Sequence, residues 1–168
     1  MTDPLTIRVS GGTGTGRTTL AAFDAALAAA GVNDYNLVRL SSIIPPGSQV
    51  LEVDGPEQLQ GDHGDLLYCV YARAHVSLPG HEAWTGIAWS RRDDGSGAGL
   101  FVEHDGPSRE QVATDLTHSL DDLSATRGGS FHPEGRQIVG ITCVTQPVCA
   151  VVVATYRRVG WEEHGHGR

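Results

Sequence analysis

The stretch YNLVRLSSIIPPGSQV, Tyr35 to Val50, decides how the rest of the chain is read. The strand-like run Asn36-Leu37-Val38-Arg39-Leu40 leads into two adjacent serines, Ser41 and Ser42. Ile43 and Ile44 follow, and Pro45, Pro46 and Gly47 end the run. Small polar residues stand where a buried strand would carry Val or Ile. Serine favours turns and caps while Leu, Val and Ile favour strands, so one reading is a bend or bulge ahead of a proline turn. The other reading is chemical. If the Ser42 hydroxyl is held against the Ser41 carbonyl carbon, an N-to-O acyl shift converts the peptide to an ester. β-Elimination then frees the upstream chain and leaves dehydroalanine at position 42, and hydrolysis releases ammonia to give an N-terminal pyruvoyl group.

Working outward, 168 residues with 39% hydrophobic content and 22 glycines fit a single domain, 1–168, with a sizeable core. A net charge of −8 without a basic run argues against nucleic acid and anionic membrane as partners and suits a cationic small molecule. Met1 to Thr6 lacks the positive and apolar segments of a signal peptide. No window reaches the apolar length of a membrane span. Cys69, Cys143 and Cys149 form no CxxC pair, which fits reduced thiols better than a disulfide framework. The expected location is the cytoplasm.

Upstream, Leu5 to Ser10 alternates as a strand does, and GGTGTGRTT (Gly11 to Thr19) reads as a glycine-rich loop entering a helix. Gly11, Gly16, Arg17 and Thr18 match the phosphate-binding pattern GxxxxGK[ST] except that Arg17 replaces the lysine. A planar guanidinium does not substitute freely for that compact charge, and the downstream chain does not read as a parallel sheet with crossover helices. A degenerate P-loop nucleotide binder is therefore an alternative, ranked below a plain strand-to-helix turn. From Thr19 onward Leu20, Phe23, Leu27 and Ala30 mark a helical face, with Gly31 as terminator. Asp24 shares that face, where a carboxylate is costly unless paired or placed at the rim.

Downstream, Gln49 to Val53 reads as a short strand and Asp54 to Asp65 as a loop. Leu66 to Leu78 and Ala83 to Arg92, separated by Pro79-Gly80, are expected to be antiparallel neighbours. Leu100 to Glu103 forms a strand on which period-two alternation places Glu103 on the face of Phe101. An enclosed Glu103 would favour its protonated form, the state a general acid requires; the other reading is an exposed carboxylate at a strand end. Ser108 to Gln111 fits a capping box, so residues 107 to about 125 are read as a helix ended by Arg127-Gly128-Gly129. Gln137 to Thr145 and Val148 to Arg157 are the last strands, the second almost continuously apolar and so central. His75, His81 and His104 are scattered. His164 and His166 in the closing WEEHGHGR read as a tail rather than a metal site, and no metal is expected. Two helices and many strands make an α+β domain.

The residues Asn36, Leu37, Ser41, Ser42, Ile43, Pro45 and Pro46 resemble the Asn-Leu-x-x-x-Ser-Ser-Ile-x-Pro-Pro stretch of the pyruvoyl-dependent arginine decarboxylases. LAAFDAALAAAGV (Leu20 to Val32), PGHEA (Pro79 to Ala83) and GLFVEHDG (Gly99 to Gly106) are similar to further blocks of that family in order and spacing. The resemblance implies self-cleavage between Ser41 and Ser42 into 1–41 and 42–168, with a pyruvoyl cofactor derived from Ser42. It implies conversion of arginine to agmatine and carbon dioxide through a Schiff base, with Glu103 as proton donor and Asp24 holding the substrate guanidinium. Asn36 would orient the scissile carbonyl or the later imine. The implied fold is a mainly antiparallel αββα sandwich, assembled as a trimer with sites between protomers. Arg17 and the Gly47-Ser48-Gln49 segment depart from the family pattern, which makes arginine specificity less secure than the pyruvoyl chemistry. An unprocessed relative acting as a binding subunit is a further alternative.

Overall fold

The computed structural model describes residues 3–53 and 59–164. Its organising strand is β9 (Val148–Val159), whose residues alternate between two apolar environments. Cys149, Val151 and Val153 face a helix, while Val152, Ala154 and Tyr156 face a second sheet. Burial of both faces explains the unbroken apolar run and makes β9 central, since a strand with one wet face would alternate with polar residues. It lies in the middle of a five-stranded sheet ordered β2 (Asn36–Arg39), β5 (Leu66–Val76), β9, β1 (Thr6–Thr15) and β4 (Gln49–Glu52). The second sheet is ordered β3 (Ile43–Ile44), β7 (Gly99–Gly106), β6 (Glu82–Arg92) and β8 (Phe131–Thr142). Pairing is antiparallel apart from β1 with β4 and β2 with β5. Helix α1 (Thr19–Ala29) covers the outer face of the first sheet and α2 (Arg109–Arg127) that of the second. The layers therefore run αββα, as expected.

The glycine-rich segment is not a loop. Residues 11 to 15 continue β1 and pair with β9 from Gly11–Val152 to Thr15–Val148, and Gly16 N–H donates to Pro147 O at 3.0 Å. Those backbone groups serve the sheet, so the phosphate cradle of a P-loop is not built. The glycines admit α1 instead. A Cβ on Gly12 would lie 2.2 Å from the Ala26 carbonyl oxygen, and one on Gly14 2.4 Å from the Ala26 nitrogen. Ala22, Ala26 and Ala30 are buried against the strand, so helix and strand backbones meet with almost no side chain between them. Leu20, expected on the buried face, is 74% exposed, because the contact turns the alanine stripe inward. Thr18 caps the helix by accepting from Ala21 N at 3.1 Å.

Three further expectations change. Strands β5 and β6 are not paired neighbours: the chain leaves the first sheet after Val76 and enters the second at Glu82. Strand β6 is buried on both faces and β5 on both except at Arg73 and His75, and apolar residues on both faces do not say which sheet a strand joins. Strand β8 begins at Phe131, earlier than read, and tolerates Pro133 because it is an edge strand. At α2 the Ser108 hydroxyl accepts from Gln111 N at 3.1 Å, but the Gln111 amide bonds Asp115 at 3.0 Å instead of returning to Ser108. The tail begins as a 3-10 turn, Trp161–His164, with Trp161 Nε1 donating to Gly64 O at 2.8 Å; His166 lies outside the described residues, as does part of the expected 54–65 loop. Cys69, Cys143 and Cys149 are buried and unpaired, and burial pushes the Cys69 thiol up to about 12.

An ion pair fastens the start of β5 to the end of β9: Arg158 Nη1 donates to Asp65 Oδ2 at 2.8 Å. Asp62 N–H donates to the same carboxylate at 2.9 Å. The two hold the Asp65 carboxyl below its usual range, the backbone donor contributing most. A carboxyl depressed in the folded state contributes stability above its unfolded pKa and loses it as pH falls through the folded value.

Two measurements check this architecture. Gly14→Ala would ordinarily stabilise by about 0.4 to 1 kcal/mol through the unfolded chain; with backbone at 2.4 Å from the new Cβ, it is expected to destabilise by about 2 kcal/mol or more in urea titrations. A neutral or stabilising result would contradict the close helix–strand contact. Asp65→Asn is expected to lower the thermal midpoint near pH 7 and to converge with wild type as pH falls below the reference aspartate value and through the lowered folded one; a gap independent of pH would remove the ionic contribution.

Candidate active site

The two sheets are joined at one edge by Leu40, Ser41 and Ser42. Strand β2 is the edge of the first sheet and β3 the edge of the second, so the chain crosses the sandwich in three residues. Leu40 N–H makes the last bond to the first sheet, at 2.9 Å from Cys69 O. Ser42 carries φ 69°, the only positive φ of a non-glycine among the described residues. The left-handed region costs an L-residue about 1 to 2 kcal/mol, and the surroundings enforce it. Ser42 O accepts from Phe101 N–H at 2.8 Å, and Ile43 opens β3 opposite Leu100. Beyond Ile44 the prolines and Gly47, with φ 74°, form a turn closed by Ser48 N–H on Pro45 O at 3.3 Å. Ser48 Oγ donates to the same carbonyl at 2.7 Å, and Arg91 donates to Ser48 O. The segment after the serines is thus a fixed anchor.

Strand β7 brings Glu103 to this crossover. Alternation holds as read: Leu100 and Val102 pack under α2, while Phe101 faces the space between the sheets, and Glu103 shares its side of the strand. Ser42 Oγ donates to Glu103 Oε1 at 2.5 Å, a charge-assisted bond to a half-buried carboxylate. A cavity of about 250 Å³ opens beside it, lined by Glu103, Asp105, Arg39, Tyr71 and Arg73. The Arg39 guanidinium stacks on Tyr71 at 4.8 Å and donates to Tyr71 O at 3.0 Å. Arg73 stacks on Phe23 of α1, also at 4.8 Å.

Tyr156 completes the site and was not singled out in the sequence. It projects from β9 through the inter-sheet core, 9% exposed, and its hydroxyl donates to Ile43 O at 2.9 Å. Its ring meets Phe101 edge-on at 6.1 Å. Burial, and secondarily the Glu103 charge, push its ionisation well above the usual phenol range, so it stays a donor. The one signal was a tyrosine following the apolar run Val148 to Ala154 of the central strand.

Asn36 and Asp24 are not brought to this cluster within the chain. Asn36 opens β2 at the far end from Ser42; its Nδ2 donates to Gly64 O at 2.7 Å and its backbone N–H to Asp65 O at 2.9 Å. Asp24 lies exposed on α1. No hydrogen bond or ion pair joins either to Ser42 or Glu103.

Comparison with known proteins agrees with the resemblance in the serine stretch. The profile of the family described as pyruvoyl-dependent arginine decarboxylase matches residues 6–157. The pyruvoyl-dependent arginine decarboxylase of Halobacterium salinarum (strain R1) is 36% identical over 152 residues, covering 89% of this chain and 92% of the relative. That of Thermococcus sibiricus is 31% identical over 139 residues, covering 81% and 84%. That of Methanocaldococcus jannaschii is 31% identical over 110 residues, covering 66% and 64%.

Proposed function

We propose that this chain, which belongs to the pyruvoyl-dependent arginine decarboxylase family, cleaves itself between Ser41 and Ser42 and then decarboxylates arginine to agmatine. One observation carries the reading: the left-handed serine on the crossover donates its hydroxyl to Glu103 at 2.5 Å. A serine turn needed only for chain reversal requires neither a carboxylate partner for the hydroxyl nor a strained φ.

The chemistry of maturation follows from those contacts. Glu103 accepts the Ser42 hydroxyl proton as Oγ attacks the Ser41 carbonyl carbon, and the proton passes to the departing Ser42 nitrogen, leaving an ester. Elimination releases 1–41 with a Ser41 carboxylate, and water converts the unsaturated residue to a ketone with loss of ammonia. Position 42 fits such a group, because its carbonyl is held by Phe101 N–H and the chain beyond it by Tyr156 and the proline turn. The ketone supplies an electron sink for breaking the bond to the substrate carboxylate. In turnover Glu103 is the proton donor.

Asp24 is assigned to the substrate guanidinium through paired charge-assisted hydrogen bonds, each contributing on the order of 1.5 to 3 kcal/mol. Asn36 is assigned to orientation of the scissile carbonyl or of bound substrate. Both lie away from Ser42 in their own chain, which supports an oligomer whose sites take residues from neighbouring protomers, a trimer by the family resemblance. The net charge of −8 favours a cationic substrate over an anionic one.

Intact-mass measurement is expected to show fragments 1–41 and 42–168, the larger blocked at its N-terminus by a borohydride-reducible ketone, and Ser42→Ala is expected to remain one chain. A wild-type chain that stays intact on long incubation would remove the electron sink and leave an unprocessed binding relative. Asp24→Asn is expected to mature normally while KM for arginine rises roughly tenfold or more, as loss of at least one such bond requires; equal loss of cleavage and turnover would remove Asp24 from substrate binding.

A further inference from the structure

Strand β3 has little to hold it. It is two residues long and pairs only with β7, as Ile43–Leu100 and Ile44–Gly99. Ile43 is 47% exposed, so only Ile44 contributes a buried side chain. Two hydrogen bonds from deeper elements compensate: Phe101 N–H to Ser42 O at 2.8 Å, and Tyr156 Oη–H to Ile43 O at 2.9 Å. The donors are themselves packed together, Tyr156 edge-on to Phe101. Tyr156 comes from β9, the best-buried strand among the described residues, so it ties a two-residue edge strand to the centre of the other sheet.

The oxygen that Phe101 holds is the one on which charge develops if the chain matures as proposed above. In the elimination step the Ser42 Cα–H bond breaks and its electron pair forms the Cα–Cβ double bond. The Cβ–Oγ bond breaks, and its pair leaves on the Ser41 carboxylate. Glu103, already beside the Ser42 side chain, takes the proton. As Cα–H breaks ahead of Cβ–Oγ, negative charge spreads onto the Ser42 carbonyl oxygen, which then has the character of an enolate. A donor fixed at that oxygen before charge appears stabilises it without reorganisation, and losing one such donor typically costs a factor of 10² to 10³.

We propose that Tyr156 is a positioning residue for the elimination step: by holding the Ile43 carbonyl it seats β3 on β7, so that the Phe101 N–H meets the Ser42 carbonyl oxygen as charge develops there. The inference rests on the self-cleavage reading and adds to it a residue that touches neither serine side chain. Tyr156→Phe removes the hydroxyl and keeps the ring contact with Phe101, so the core stays filled. Because Tyr156 acts through Phe101, its loss should slow maturation by about tenfold to a hundredfold, somewhat less than removal of the donor itself.

The experiment follows maturation of freshly made full-length wild type and Tyr156→Phe by intact mass, with and without hydroxylamine, alongside circular dichroism. Hydroxylamine cleaves an ester and leaves Ser42 as an unblocked N-terminal serine, whereas completed elimination leaves a ketone. The expected result is a folded variant that forms the blocked 42–168 fragment at least tenfold more slowly and accumulates hydroxylamine-labile ester. Hydrogen exchange at the Phe101 amide should be faster in the variant, with that of β6 unchanged. A variant maturing at the wild-type rate overturns the proposal. So does one that stays uncleaved without a hydroxylamine-labile ester, which would place Tyr156 in the acyl shift or in folding alone. A wild-type chain that never cleaves removes the underlying reading, and the proposal with it.

Discussion

Burial of β9 on both faces is the constraint from which the other positions follow. A central strand with apolar residues on every side must be covered by a helix on one face and a sheet on the other, and the second sheet then needs a helix of its own. Each cover is made differently. Between the sheets, large side chains such as Ile7, Ile87 and Phe101 fill the core. Under α1 the contact with β1 is backbone against backbone, alanines on glycines, while Leu67, Val151 and Val153 fill the rest of that layer; the first sheet ends in β2 as an edge strand. The chemistry collects at that edge because there the chain must cross from one sheet to the other.

Parts of this arrangement were legible in the sequence for physical reasons. A continuous apolar run with turn signals at both ends has few solutions, which gave β9 its place. Period-two alternation is a property of the strand itself, so the orientation of Glu103 relative to Phe101 could be read from four residues. The serine stretch read as a bend ahead of a proline turn, since small polar residues cannot fill a core strand; that this bend carries the chain from one sheet to the other appears only in the fold. What failed depended on long-range contacts. Glycine at positions 11 to 16 is locally a loop signal; only a helix lying across it makes the missing Cβ atoms a packing requirement. Strands β5 and β6 carry apolar residues on both faces, and nothing in such a pattern names the sheet. Tyr156 is separated from Ile43 by more than a hundred residues, and its hydroxyl becomes informative only when the partner carbonyl is seen. Asn36 is the converse case: proximity in sequence to Ser42 does not bring it close in the chain's own fold, because the extended strand between them carries it to the other end of the sheet.

The strain at Ser42 is easy to overvalue. A left-handed serine stores about 1 to 2 kcal/mol, and relief of all of it in a transition state would accelerate a step by roughly five- to thirtyfold. Peptide cleavage at neutral pH needs far more than that. The strain is better understood as a geometric consequence: with Ser42 O bound to Phe101 and Leu40 N–H bound to Cys69, the chain has three residues in which to change sheets, and the positive φ is what satisfies both ends. Its geometric effect is to set the hydroxyl on Glu103; under the proposed reaction most of the acceleration would come from that carboxylate and from the donor on the carbonyl.

The same geometry explains why cleavage at this bond need not damage the fold. The φ of residue 42 is defined by its peptide bond to Ser41, so breaking that bond removes the torsional constraint at the one place where the chain was strained. Neither side depends on it for attachment: upstream, β2 stays paired with β5 and Asn36 stays bound at Gly64 and Asp65; downstream, Phe101, Tyr156 and the turn closed by Ser48 act on residues 42 to 48 alone. Under the proposed reaction, the bond that breaks is the least supported link between two well-anchored segments. A new N-terminal group at position 42 would then remain fixed by contacts already present in the uncut chain. That separation of roles, with strain in the link and order in its flanks, would under the proposed reaction let one carboxylate serve first the maturation of the chain and afterwards its turnover.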